Sequence, residues 1–296
     1  MRIKKFEKHY YLMLLPGFIW IFIFKIIPMF GLAIAFQDFN PSKGVLGSHW
    51  VGFDNFIYLF QLNDSKTIFF NTIFIAVLKI IGNIFFPLLV ALLLNELRMK
   101  FLKRWVQTVV YLPHFLSWVI LAGIMLDVFS LYGPANGIRS LLGQKPILFF
   151  AQAELFPALL VSSDVWKEFG FNAVIYLAAL TGVNPEIYEA AAVDGANRFQ
   201  RILYITIPSI STTIILLMVL SLGNVLNAGF DQVFNLYNPL VYSTGDIVDT
   251  WVYRIGLLNA QYGLATAVGL IKSVVGFALI GISYFLARRF ANYNIF

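Results

Sequence analysis

Three short stretches carry side chains suited to holding a ligand rather than transforming one. In "SSDVWKEFGFN", Asp164, Lys167, Glu168 and Phe171 recur at i, i+3, i+4 and i+7, which predicts one shared helix face. In "SLGNVLNAGFDQ", Ser221, Asn224, Ala228 and Asp231 repeat that helical spacing, with Asn227 close by. In "LPHFLSW", His114 and Trp118 stand one turn apart after Pro113. Polar faces beside an aromatic plane suit a carbohydrate, whose hydroxyls need hydrogen bonds and whose C–H faces rest against flat rings. Taken singly, each residue has an equal structural reading. Asp164, Lys167 and Glu168 are as readily solvated or mutually paired near an external mouth, and Ser221, Asn224 and Asn227 as readily join helices. His114 and Trp118 are as readily packing residues. The three faces together favour a cavity. Catalysis has no comparable support: there are three histidines, no cysteine and no metal-binding spacing. No Gly-Lys dipeptide occurs, which excludes a phosphate-binding loop of the GxxxxGK[ST] type.

The elements that must position these faces are membrane helices. Of 296 residues, 59% are hydrophobic and only 12% charged, against about 25% charged in soluble domains. Six apolar stretches are long enough to span, at about 11–36, 68–95, 106–130, 156–180, 209–230 and 264–287. The fold class expected is therefore all-α, integral to the membrane, in one domain over 1–296. The first stretch follows a basic "MRIKKFEKH" and precedes "AIA", as a signal peptide does. Its apolar run is too long for one and contains Lys25 and Pro28, so it reads as a retained span. Lys25, Lys79, Asp127 and Lys272, in or near spans, read as snorkelling or paired.

Orientation follows from the basic residues. With the N-terminus inside, internal segments hold Arg2, Lys4, Lys5, Lys8, Arg98, Lys100, Lys103, Arg104, Arg198, Arg201, Arg288 and Arg289. External loops hold only Lys43, Lys66, Arg139, Lys145 and Arg254. This asymmetry satisfies the positive-inside rule with both termini cytoplasmic, and it accounts for the net charge of +6 better than nucleic acid does. The longest external loop, about 37–67, is large enough only for a lid or a small docking surface.

One internal segment, 181–208, is unusually patterned. "NPEIYEAAAVDGANRFQRILYITIP" predicts a helix opening at Pro185, a break at Gly195 and a second helical piece closing at Pro208. Tyr188, Ala191, Ala192, Phe199, Ile202 and Leu203 form its apolar side, suited to a headgroup layer or a partner's groove.

The run from Glu189, Ala190 and Ala191 through Asp194, Gly195 and Ala196 to Pro208 resembles the EAA loop of permeases in bacterial binding-protein-dependent ABC importers. Ile207 stands where leucine is common. "YYLMLLPGFIWIFIFKIIPMFGLAIAFQDFN" and "GSHWVGFDNF" look like the start of sugar-type permeases, most similar to the branch importing oligosaccharides released from polysaccharides or glycans. The resemblance implies that the loop is a coupling helix docking into an ATPase subunit, with Glu189 paired to a basic partner residue. It implies a second, related permease, two ATPase subunits carrying ATP and Mg, and an extracellular solute-binding protein. No cofactor on this chain is implied, and its place is the bacterial cytoplasmic membrane. Ungapped alignment on the loop places Asp164, Lys167, Glu168, Phe171, Ser221, Asn224, Val225 and Ala228 where maltose-type permeases line their sugar pocket. His114 and Trp118 correspond through the Leu-Pro motif. The residue types differ from the maltose pattern.

The alternative from another class is an ion-coupled secondary transporter using Asp164, Glu168 and Asp231, which predicts transport without an ATPase. The charge asymmetry generates a direct test. Single cysteines at Ser140 and Asn197 have no background, because the chain has none. An impermeant thiol reagent added to intact cells is expected to label position 140 and spare 197; the reverse pattern contradicts the orientation.

Overall fold

The computed structural model describes residues 3–97 and 99–290. Arg2 and Arg98, used in the charge comparison above, lie outside the described residues. The chain divides into two compact units, Met1–Ser65 with Trp251–Ser273, and Lys66–Thr250 with Val274–Phe296.

The main helices, in chain order, are α1 (Ile3–Ile21), α2 (Asn63–Glu96), α3 (Lys100–Tyr111), α4 (Trp118–Val128), α5 (Phe156–Thr181), α6 (Ser211–Leu222), α7 (Phe230–Leu236) and α8 (Tyr262–Phe290). In the first unit, α1 continues through a π turn, Phe22–Ile26, into a tight 3-10 segment, Phe30–Phe36. The loop that follows is pinned by a two-residue antiparallel ladder, Gln37 opposite Trp50 and Asp38 opposite His49. This ladder is a small departure from the all-α expectation. Asn55 Nδ2 locks its base by donating to the carbonyls of Ala35 (2.9 Å) and Gln37 (3.0 Å).

Among the described residues, three helical runs, His9–Phe36, Asn63–Glu96 and Tyr262–Leu286, are long and apolar enough to cross a bilayer. Counting bent pairs as single spans raises the number to five. The stretch expected to span over 106–130 is bent: Lys100–Phe115 and Trp118–Val128 meet at 102°. Pro113 sits in the tight turn Leu112–Phe115, and Ser117 Oγ then caps α4 by accepting from Ile120 N–H. His114 and Trp118 are therefore not on one helix face but on either side of a corner. The stretch expected to span over 209–230 is broken likewise. Arg198–Ser209 and Ser211–Leu222 are bent by 61°, and helix α6 ends at Leu222. Ser209 Oγ and Ser211 Oγ donate back to the carbonyls of Ile205 and Pro208, both at 2.7 Å, a pattern that bends helices. Residues 223–229 are non-helical, so Ser221, Asn224 and Ala228 do not share the helical face their spacing predicted. Gly223, Asn224, Asn227 and Gly229 all have poor helix propensity, and Gly229 adopts φ +92°.

The core of the second unit gathers Ile75 and Ala76 of α2, Phe156 and Leu160 of α5, Ala228 and Val233. Helices α3 and α5 approach closely at Gly170, where an added Cβ would collide with the Val110 carbonyl. Backbones meet this closely only over a residue without a side chain. Gly170→Ala is therefore expected to force these helices apart and lower the yield of folded protein. Gly123→Ala, where nothing lies within 4 Å, should be silent. Equal yields and melting temperatures for the two variants would contradict the close approach.

Candidate functional site: a polar cavity at an unwound helix

Helix α2 is apolar along most of its length, yet it brings Lys79 and Asn83 to one face, one turn apart. Helix α5 brings Asp164 and, two turns on, Asn172. The unwound segment after α6 adds Asn224 and Asn227, and Ser221 comes from the last turn of α6. Together with Ala76, Ile80, Ala228 and Gly229 these residues line a cavity of about 260 Å³.

Its floor is a buried ion pair. Lys79 is 6% exposed, and its Nζ lies 3.3 Å from Asp164 Oδ1. The same ammonium donates to the Ala228 carbonyl at 2.7 Å and to Gln232 Oε1. Asp164 Oδ2 accepts from Asn83 Nδ2 at 2.9 Å. Gln232, fully buried on α7, donates onward to the Leu160 carbonyl (2.7 Å) and to Ser163 Oγ (2.8 Å). The break in the helix makes this possible: the Ala228 carbonyl, free of any helical ladder, is taken by the ammonium. A charge this deep persists only when its partners are complete.

A second cluster forms around the corner between α3 and α4. Lys167 Nζ donates to Glu168 Oε1 (2.8 Å) and to the His114 carbonyl (2.9 Å), and it lies 5.6 Å from the centre of the Trp118 ring. His114 Nδ1 is 2.7 Å from Glu168 Oε2. With Glu168 ionised, Nδ1 carries the proton and donates. The His114 ring stacks parallel on Phe171 with centroids 4.0 Å apart.

The residues chosen from the sequence thus separate into two groups. Asp164, Ser221, Asn224 and Ala228 line the cavity. His114, Trp118, Lys167, Glu168 and Phe171 pack together without lining it, and Val225 belongs to neither group. Lys79, Asn83, Asn172 and Gln232 were missed as site residues. A signal existed for two of them: a lysine and an asparagine one turn apart in an apolar helix demand a shared partner.

Segment 181–208 has the local geometry expected from its turn and cap residues. A helix runs Pro185–Val193, with Asn184 Oδ1 accepting from Glu186 N–H at 3.0 Å. Gly195 turns the chain at φ +82°, and Asn197 and Gln200 form a reciprocal capping box at the start of Arg198–Arg201. Tyr188 Oη and Thr206 Oγ1 join the two pieces at 3.0 Å. Ile187, Val193 and Phe199 are exposed.

A polar cavity among apolar helices, framed by helix breaks, is the anatomy of a transport protein rather than of an enzyme. The chain belongs to the family of binding-protein-dependent transport system inner membrane components, whose model matches residues 83–292. It is 42% identical over 293 residues to Protein LplB of Bacillus subtilis (strain 168), covering 99% of this chain and 92% of that one. It is 40% identical over 293 residues to the polygalacturonan/rhamnogalacturonan transport system permease protein YteP of the same organism, covering 98% and 91%. In three dimensions it is similar to a chain in the crystal structure of a bacterial alginate ABC transporter in complex with an alginate pentasaccharide-bound periplasmic protein. That match has a TM-score of 0.91 and 38% identity, and it covers 99% of each chain. The chain is thus a non-catalytic permease subunit of an ABC transporter, the ATPase lying on a separate subunit. The ion-coupled alternative gives way to this assignment.

Gly229 tests the ion-pair floor. A Cβ there would stand 3.0 Å from Lys79 Nζ, on a backbone with positive φ. The strain alone costs about 1–3 kcal/mol for a non-glycine residue. Gly143, at φ +72° with nothing within 4 Å, carries the strain without the contact. Gly229→Ala is expected to lower the melting temperature of the purified complex well beyond Gly143→Ala. Equal losses would contradict the contact with Lys79.

Proposed function

We propose that this chain forms one half of an alternating-access pathway that imports an oligosaccharide delivered by an extracellular binding protein. The observation that carries the reading is the amide-rich cavity lined by Asn83, Asn172, Asn224 and Asn227, within a permease of this family. Amide side chains donate and accept together, which is what sugar hydroxyls require. The saccharide names attached to its relatives support the same class. The His114–Trp118–Lys167–Glu168–Phe171 cluster is assigned to the flank of the same pathway.

The pathway is completed by a second, related permease. In the proposed topology six segments cross the cytoplasmic membrane, α5 among them despite its three charges, and both termini lie inside. The two broken segments count as spans. Segment 181–208 is the joint to one of two ATPase subunits, which carry ATP and Mg. Its capped, rigid turn suits it to convert closure of the ATPases into movement of the attached helices. Glu189, Ala190, Ala191, Asp194, Gly195, Ala196 and Pro208 form that joint.

ATP-dependent uptake of labelled oligosaccharides into proteoliposomes holding the complete complex and its binding protein tests both parts. The wild-type complex is expected to accumulate saccharide only with ATP. Glu189→Lys and Gly195→Pro should insert normally but lose ATPase association and uptake. Loss of a buried charge partner costs about 2–5 kcal/mol of docking, and proline cannot adopt the positive φ at 195. Normal uptake and association in both variants would contradict the coupling role. Accumulation of no saccharide by an ATPase-active complex would contradict the substrate class.

A further inference from the structure

The saccharide-related names among the relatives include polymers rich in carboxylates, which invites the expectation of an anionic cargo. We infer instead that the part of the pathway lined by this chain takes uncharged, hydroxyl-bearing sugar residues and rejects uronates; this rests on the oligosaccharide reading above. An ammonium has three N–H bonds, and those of Lys79 are directed to Asp164 Oδ1, the Ala228 carbonyl and Gln232 Oε1. None remains for a ligand carboxylate. Asp164 returns the opposite charge, and its second oxygen is taken by Asn83 Nδ2. The cavity is therefore neutral, and every other polar group lining it is an amide or a hydroxyl.

A second observation points the same way. Among the described residues, Asn83 Oδ1 is buried and finds no hydrogen-bond partner. Its identity as oxygen follows from its neighbour: the Asp164 carboxylate only accepts, so the atom facing it must be the NH2. A lone acceptor at the cavity wall presents a partial negative charge, which disfavours a carboxylate nearby and does not disfavour a neutral hydroxyl. The adjoining cluster offers no free cation either, since Lys167 is held by Glu168, the His114 carbonyl and the Trp118 ring. A uronate entering here would lose its water and gain no counter-charge from this chain, which is discrimination by an unpaired buried charge.

The test is equilibrium binding of saccharides to the purified complex of permeases and ATPases, without the binding protein so that its own selectivity does not enter. Galactotetraose and glucotetraose serve as neutral probes and tetragalacturonate as the acidic one. At least one neutral probe is expected to bind about tenfold or more tighter than tetragalacturonate. Asp164→Asn frees Lys79 and should raise affinity for tetragalacturonate about tenfold, and adding Lys79→Met should remove that gain. The wild-type comparison stands by itself if Asp164→Asn lowers assembly. Tetragalacturonate binding as tightly as the better neutral probe would overturn the inference and leave the oligosaccharide reading intact. Binding of neither class by an ATPase-active complex would overturn both.

Discussion

A single ammonium, that of Lys79, sets the arrangement of everything around the cavity. Buried among apolar helices, it must find three acceptors or leave the core. It finds them on three separate pieces of chain: Asp164 on α5, the Ala228 carbonyl on the unwound segment, and Gln232 on α7. The break after Leu222 therefore does not leave polar backbone stranded in an apolar environment. The lysine takes the Ala228 carbonyl, local turns pair other groups of the segment, and Gly229, at φ +92°, lets the chain pass close by. Irregular backbone among apolar helices is tolerated where it lines a cavity or is buried in protein, and residues 224 and 227–229 line the cavity. Gln232 extends the network to Leu160 and Ser163, so α2, α5 and α7 share one set of hydrogen bonds.

Much of this was legible in the chain itself, and the failures have a common origin. Three long apolar runs and the turn at Gly195 appear where hydropathy and turn chemistry place them. Those signals are local: a run of apolar residues or a capping pattern needs no distant partner to be read. The misreadings came from extending helical periodicity through residues that leave the helix. Asn224 and Ala228 were placed on a helix face, although Gly223 and Gly229 bracket a segment that is not helical. Pro113 was read as preceding a turn of helix shared by His114 and Trp118, whereas the chain bends there by 102°. Lys79 was visible as an oddity in an apolar stretch, but its partners lie 85 residues away at Asp164 and farther still at Ala228 and Gln232. No local pattern reports such a pairing.

Broken helices also connect the two parts of the functional account. The bend at Ile210 lies between the patterned segment 181–208 and α6, and α6 ends at the unwound residues that line the cavity. A displacement of that segment therefore has a short covalent route to the cavity wall. Rigid helical pieces joined at defined corners move as bodies, which is the kind of motion alternating access requires.

The central claim is that Lys79 and Asp164 act as one unit, and a double-mutant cycle measures that directly. The unfolding free energy of the purified complex would be compared for wild type, Lys79→Met, Asp164→Asn and the double variant. The account predicts strong non-additivity, a coupling of about 1–3 kcal/mol, with the double variant more stable than the sum of the single losses implies. Losses that add to within about 0.5 kcal/mol would show the two residues to be independent, and the account would be wrong.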